Sequence, residues 1–168
     1  MIIIGYPCIG KDTLSKENKK VISFDANNFF IGKERSKDWY KVYCNIVMDL
    51  SNQGYIVFVP SYEESIVNYL CELRDKYIIE QTGIGCILPS KLPSIKEYWL
   101  RKASDKMASG LSEDIKVYRR MQDFYDTDIE DLNNKMDTYG IEKFTIRCRH
   151  YELSDVLNDL ICRLGELY

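Results

Sequence analysis

The chain has 168 residues, 45% hydrophobic and 29% charged, which suits a single compact domain with a proper core. Its net charge of −3 gives no basic excess to draw it toward nucleic acid or an anionic membrane, and no apolar run nears the ~20 residues that span a bilayer. The six cysteines form no CxxC, and Met1 to Ile4 is too short for a secretory leader, so reduced thiols in a cytoplasmic protein are expected, most of them filling the core.

Ile2-Ile3-Ile4 is a β-branched run ended by Gly5, the pattern of a strand buried on both faces. Residues 13–20 predict a short helix, and Val21-Ile22-Ser23-Phe24 a second strand ending at Asp25-Ala26-Asn27-Asn28. From Trp39–Asn52, apolar residues recur in steps of three and four, the mark of an amphipathic helix, and Gly54 stops it. Residues 55–59 are the clearest strand, terminated by Pro60, and 61–76 read as a helix with Ile66, Val67, Leu70 and Leu73 on one face. A weaker strand centred on Cys86-Ile87-Leu88 ends at Pro89-Ser90. Pro93 opens a helix to about residue 108, and a richly charged helix follows from about 112 to 134. Residues 144–148 give the last strand and 153–167 a closing helix.

This alternation implies right-handed crossovers and a mostly parallel sheet with helices on both faces, an α/β domain covering residues 1–168. Ligands in such sheets lie beyond the carboxyl ends of the strands, where Gly5, Asp25, Pro60-Ser61 and Pro89-Ser90 fall. The segment 89–140 is long for one crossover and predicts a protruding or mobile helical lid or insertion. The lone His150 has no companion ligands, so no zinc site is expected.

Gly5-Tyr6-Pro7-Cys8-Ile9-Gly10-Lys11-Asp12-Thr13 fits GxxxxGK, with Asp12 where Ser or Thr is usual. The glycines let the backbone curl its N–H groups toward phosphate oxygens, Lys11 adds a point charge, and the following helix adds its positive end. Gly5, Pro7, Cys8, Ile9, Gly10, Lys11, Asp12 and Thr13 are the candidate nucleotide-binding residues. The bland alternative is a chance strand–turn–helix with Lys11 solvated on the surface. A predicted strand before the motif and a predicted helix after it favour the phosphate loop. The Asp12 carboxylate can ligate Mg²⁺ directly or through water, with Thr13 available to a phosphate oxygen or the metal. Cys8 stands where such loops often have glycine; phosphate-binding surroundings would lower its thiol pKa, and an inert loop residue is the plainer reading.

The Gly10-Lys11-Asp12-Thr13 variant resembles that of phage deoxynucleoside monophosphate kinases, and the strand–helix order of the whole chain is similar to the P-loop nucleoside/nucleotide kinase superfamily. The resemblance implies a P-loop NTPase fold, a three-layer sandwich around a five-stranded parallel sheet in the order 2-3-1-4-5. It implies transfer of the γ-phosphate of ATP, with Mg²⁺, to a nucleoside monophosphate or nucleoside-like acceptor. Lys11 would hold the transferring group, and Asp12 and Thr13 the metal and phosphates.

At the acceptor side, a carboxylate at Asp25 can accept a hydroxyl proton or hold a metal-bound water; its alternative is a turn cap. Asn27 and Arg35 are further candidates for gripping the acceptor, while Phe30 and Trp39 read better as core. The acid usual at the end of the third strand is missing from Val59-Pro60-Ser61-Tyr62, which disfavours a motor ATPase. Cations must neutralise charge developing in phosphoryl transfer, and Trp99-Leu100-Arg101-Lys102 offers two, with Arg101 the first candidate; Arg119 and Arg120 read better as partners of nearby acids such as Glu97, Asp105 or Asp123. Two other functions fit the same loop: a kinase acting on nucleic-acid ends or modified DNA bases, which the acidic composition disfavours, and a nucleotide-binding module without turnover.

Overall fold

Ile2–Gly5 forms β1, four consecutive buried residues that only a central strand can accommodate. In the computed structural model, which describes residues 1–29, 36–109, 115–147 and 152–165, β1 is followed by α1 (Lys11–Glu17), β2 (Val21–Ser23), α2 (Ala26–Phe29) and α3 (Trp39–Asn52). Then come β3 (Ile56–Pro60), α4 (Glu64–Asp75), a 3₁₀ turn at Gln81–Gly83 and β4 (Ile84–Pro89). The chain closes with α5 (Pro93–Ala108), α6 (Ile115–Thr138), β5 (Glu142–Ile146) and α7 (Glu152–Gly165). The five strands make one parallel sheet in the order β2-β3-β1-β4-β5, with the helices packed around it. The molecule is therefore α/β, with the strand order that the resemblance implies.

Most elements follow their sequence patterns, and the departures have local causes. The first helix begins at Lys11, two residues before the expected start, and ends at Glu17. α4 begins at Glu64 rather than 61, because the Ser61 N–H still donates to the Gly5 carbonyl at 3.2 Å and carries the β3 line one residue past Pro60. β4, read as a weaker strand from its sequence, has all six residues buried between β1 and β5. β5 lies two residues earlier than 144–148, since its register is set by pairing Gly85 with Glu142 and Pro89 with Ile146. α6 is kinked at Phe124 (φ −129°, ψ 21°), which lets one helix meet two surfaces.

The core sits on both sides of β1 and is dominated by Trp99, Tyr43 and Phe58. Phe24 stacks on Tyr43 at 4.8 Å between centroids, and Phe29 and Trp39 meet Tyr43 edge-on; Trp39 is half-buried against the core, on the side the core reading expects. Phe30 lies outside the described residues. The middles of α5 and α6 are tied to the end of β1 through aromatic rings: Tyr6 meets Trp99 and Tyr125 edge-on, at 6.2 and 5.9 Å. Among the described residues, no helix is long and apolar enough to cross a membrane.

Candidate functional site

All strands end at the same edge of the sheet, and there β1 lies between Pro60 of β3 and Ile87 of β4. The chain leaving β1 folds back over it. A Cβ at Gly5 would stand 3.0 Å from Ile9 Cδ1 and 3.3 Å from Phe58 Cδ1, so a side chain at position 5 would make the Ile9 and Phe58 side chains give way. Two residues of the loop are left-handed, Cys8 (φ 65°) and Gly10 (φ 96°). That conformation costs a non-glycine residue roughly 1–2 kcal/mol, and Cys8 holds it nonetheless. The loop keeps its path despite lacking glycine at position 8.

The consequence is a row of unused donors. Among the described residues, the N–H groups of Ile9, Gly10, Lys11, Asp12 and Thr13 make no backbone hydrogen bond; the first closed bond is Leu14 N–H to the Gly10 carbonyl, at 3.0 Å. Successive free N–H groups of this kind form an anion-binding concavity. They border a cleft of about 360 Å³ that Lys11, Asp12, Thr13 and Asp25 all line. Lys11 is only 8% exposed and has no ion pair or hydrogen bond among the described residues. Its ammonium lines the cleft and is left to whatever anion enters there. Lys16, Lys102 and Lys106 line the same cleft, so four lysines face two aspartates in a chain whose net charge is −3.

Asp25 leaves β2 at the cleft wall. Its Oδ1 accepts the Asn27 N–H at 2.8 Å, the turn-cap contact, and the Tyr62 hydroxyl donates to the same oxygen at 3.4 Å. Oδ2 has no partner among the described residues, so Asp25 caps α2 with one oxygen and keeps the other for the cleft. Asn27 contributes its backbone to this cap and does not line the cleft. The Ser23 hydroxyl, two residues back on β2, donates to Asp12 Oδ1 and fixes that carboxylate beside the loop.

The cleft supplies a carboxylate pair and the Thr13 hydroxyl, oxygen donors of the kind a hard divalent cation takes. No group of three His, Cys, Asp or Glu side chains stands ready to hold a metal among the described residues.

The expected cation on α5 is displaced by one position. Arg101 is exposed and lies outside the cleft lining; Lys102 and Lys106 are there instead. A step of one residue turns a helix by about 100°, and the buried Trp99 and Ala103 fix which side of α5 faces inward. Lys102 Nζ donates to the Cys8 carbonyl at 2.8 Å and passes over the Trp99 ring at 5.1 Å, joining α5 directly to the loop. Arg120 pairs with an acid, as expected, but with Asp128, through two hydrogen bonds of 2.9 and 2.8 Å. Arg119 is exposed on α6, and Arg147 is exposed at the end of β5. Arg35, His150 and Arg149 lie outside the described residues.

A second cleft of about 230 Å³ adjoins the first, with Pro7, Tyr62 and Val117 lining both. Its apolar wall includes Val67, Met121 and Leu132, and its polar groups include Ser61, Arg120 and Asp128. Tyr6 also lines it; this side chain is 2% exposed, and its hydroxyl is buried with no hydrogen-bond partner among the described residues. Burial above all, then the fields of Tyr125 and Asp128, raises the Tyr6 pKa far above the ordinary phenol value, so its hydroxyl remains a proton donor.

Cys44, Cys71 and Cys86 are buried, as the filler reading expects, whereas Cys8 is half-buried at the first cleft and Cys162 is exposed. Burial pushes the Cys44 thiol up to about 12 and the Cys71 thiol to about 11.

Sequence reasoning ranked Lys102 behind Arg101 and missed Ser23, Tyr62, Lys16, Lys106 and the whole second cleft. The i, i+4 spacing of Lys102 and Lys106 was a usable signal, since it puts both on one helix face. Ser23 and Asp25 alternate out of β2, a second usable signal. Nothing in the sequence marks Tyr62. No protein-family model, no curated protein and no solved structure matches the chain.

Proposed function

We propose that this chain is an ATP-dependent phosphotransferase of the P-loop nucleoside/nucleotide kinase type, which moves the γ-phosphate of ATP to a nucleoside monophosphate or nucleoside-like acceptor. The observation that carries the reading is Lys11. It is nearly buried and unpartnered, at the end of a loop of free N–H groups, and shares its cleft with the open oxygen of Asp25. Charge stabilisation and positioning are what phosphoryl transfer requires from a protein, and both are supplied from this chain's residues.

In this reading the N–H groups from Ile9 to Thr13 hold the phosphate chain of ATP, and Lys11 meets the oxygens of the transferring group. Lys102 and Lys106 take the role assigned to Arg101 in the sequence, facing the charge that grows as the bond to the leaving phosphate breaks. Asp12, held by Ser23, and Thr13 would hold Mg²⁺, which when bound neutralises charge on the phosphate oxygens. An acceptor oxygen attacks the γ-phosphorus, the bond to the bridging oxygen breaks, and ADP leaves. Where the acceptor is a hydroxyl, Asp25 Oδ2 takes its proton; where it is a phosphate oxygen, Asp25 orients it.

The test is a screen with γ-labelled ATP across the ribo- and deoxynucleoside monophosphates, nucleosides and DNA 5′ ends. Label passes to at least one nucleotide or nucleoside. Asp25→Asn keeps ATP affinity and loses transfer by ~100-fold or more. Wild-type protein that binds ATP and labels none of them is a binding module, and label on DNA ends alone makes the chain an end-processing kinase.

A further inference from the structure

The Cys8 side chain takes no part in the proposed transfer. It stands where such loops often have glycine, on a left-handed backbone (φ 65°) that glycine would hold without steric cost. Its surroundings are those of a reactive thiol. Cys8 is in no disulfide, is half-buried, and lines the first cleft together with Lys11, Lys16, Lys102 and Lys106. The thiolate is the form of cysteine that reacts, and neighbouring cations favour it.

An anion seat adjoins this thiol. Lys11 lines the same cleft, is only 8% exposed, and has no ion pair or hydrogen bond among the described residues. Beside it, the N–H groups from Ile9 to Thr13 make no backbone hydrogen bond. A nucleophile and a place for an anion therefore share one cleft, three residues apart in the chain.

We infer that Cys8 is a site of reversible thiol modification selective for small disulfides that carry carboxylate groups, and that this modification and ATP binding exclude each other. The inference rests on the loop as an anion seat and is independent of phosphoryl transfer. A carboxylate of the disulfide occupies the loop N–H groups and Lys11, as a phosphate would, and this brings the S–S bond to Cys8. The Cys8 thiolate attacks one sulfur of the disulfide. A new S–S bond forms at Cys8, the original bond breaks, and the other half leaves with the electron pair as a thiolate, which solvent protonates. Cys8 is oxidised, the departing half is reduced, and excess free thiol reverses the exchange. The attached half keeps its negative charge and stays in the cleft of about 360 Å³, where the phosphates would lie. ATP therefore opposes the modification and the modification opposes ATP, the reciprocity that linkage requires. A glycine at position 8 would give the loop its path without this sensitivity.

Peptide mapping of the native protein tests the inference by following mixed-disulfide formation at each cysteine. Glutathione disulfide is the anionic reagent and hydroxyethyl disulfide the neutral one. Cys162, exposed and outside the lining of both clefts, is the reference that cancels the reagents' intrinsic reactivities. The anionic-to-neutral rate ratio at Cys8 should exceed that at Cys162 by ~10-fold or more, the gain a cationic cleft gives an anion. Pyrophosphate, and separately Lys11→Met, should bring the Cys8 ratio down to that of Cys162. Glutathione disulfide should lower the ATP affinity of wild type and of Cys162→Ser by ~10-fold or more, and dithiothreitol should restore it. In Cys8→Ser, ATP affinity should be the same before and after treatment. Equal ratios at the two cysteines overturn the proposal. So does a Cys8 preference that neither pyrophosphate nor Lys11→Met reduces, and so does unchanged ATP affinity in protein modified at Cys8. Phosphate transfer by protein that lacks the preference removes this inference and leaves the kinase reading standing; the preference in protein that phosphorylates no acceptor does the reverse.

Discussion

Cys8 and Gly10 have the same kind of backbone and different means of tolerating it. Both are left-handed, but only glycine escapes the steric cost, so the loop stores strain at Cys8 and none at Gly10. Replacing Gly10 by alanine imposes a second strained residue inside the site. Gly54 offers the matching control: its φ is 87°, nothing lies within 4 Å of an added Cβ, and it follows α3, outside the lining of both clefts. Gly10→Ala and Gly54→Ala should each lower unfolding free energy by roughly 1–2 kcal/mol in urea titrations. Only Gly10→Ala should weaken ATP binding. If the two variants bind ATP equally, the loop geometry is not what holds the nucleotide. At this scale the sequence is informative wherever chemistry fixes spacing. Gly5, Gly10 and Lys11 are legible because a phosphate loop needs them at set intervals. Ser23 and Tyr62 are not legible, because their contacts with Asp12 and Asp25 arise from tertiary geometry alone.

Among the elements, α5 shows how a helix can be placed correctly and still be assigned the wrong functional residue. Pro93 and the apolar period define its extent, and its range matches the sequence pattern in full. Its rotation is set by Trp99 and Ala103 against the core, and that selects Lys102 over Arg101 for the cleft. The lysine stem covers the Trp99 ring and its ammonium reaches the Cys8 carbonyl, so packing and charge act at one position. Lys102→Met retains most of the stem and removes the charged hydrogen bond, a contact of about 1.5–3 kcal/mol. ATP affinity measured by titration should fall at least ~10-fold in Lys102→Met. Arg101→Met, on the exposed side, should stay within about twofold of wild type, as exposed charges contribute little. The reverse order of effects would restore Arg101 as the cation of the site. The shifted β5 and the kink in α6 were hidden for a related reason: register and bending answer to neighbouring strands and helices that a local pattern does not contain.

Taken whole, the molecule divides its cysteines by position relative to the sheet. Cys86 lies on β4 inside the sheet, Cys44 and Cys71 lie on the buried faces of α3 and α4, and Cys8 alone of the described cysteines stands at the ligand edge. Burial acts on a thiol twice, by excluding the reagent and by raising the pKa so that little of the reactive thiolate forms. With Cys44 near 12 and Cys71 near 11, and Cys86 raised as well, all three should resist iodoacetamide at pH 8 in the native protein. Peptide mapping by mass spectrometry should find Cys8 and Cys162 modified, and the three buried cysteines modified only after urea unfolding. Saturating ATP with Mg²⁺ should slow Cys8 and leave Cys162 unchanged, because only Cys8 shares a cleft with Lys11. Native Cys86 reacting as fast as Cys162 would contradict a central, fully paired β4. Protection of neither thiol by ATP would contradict a phosphate site at the end of β1, and protection of both would point to a global tightening of the fold in place of occupancy at the loop.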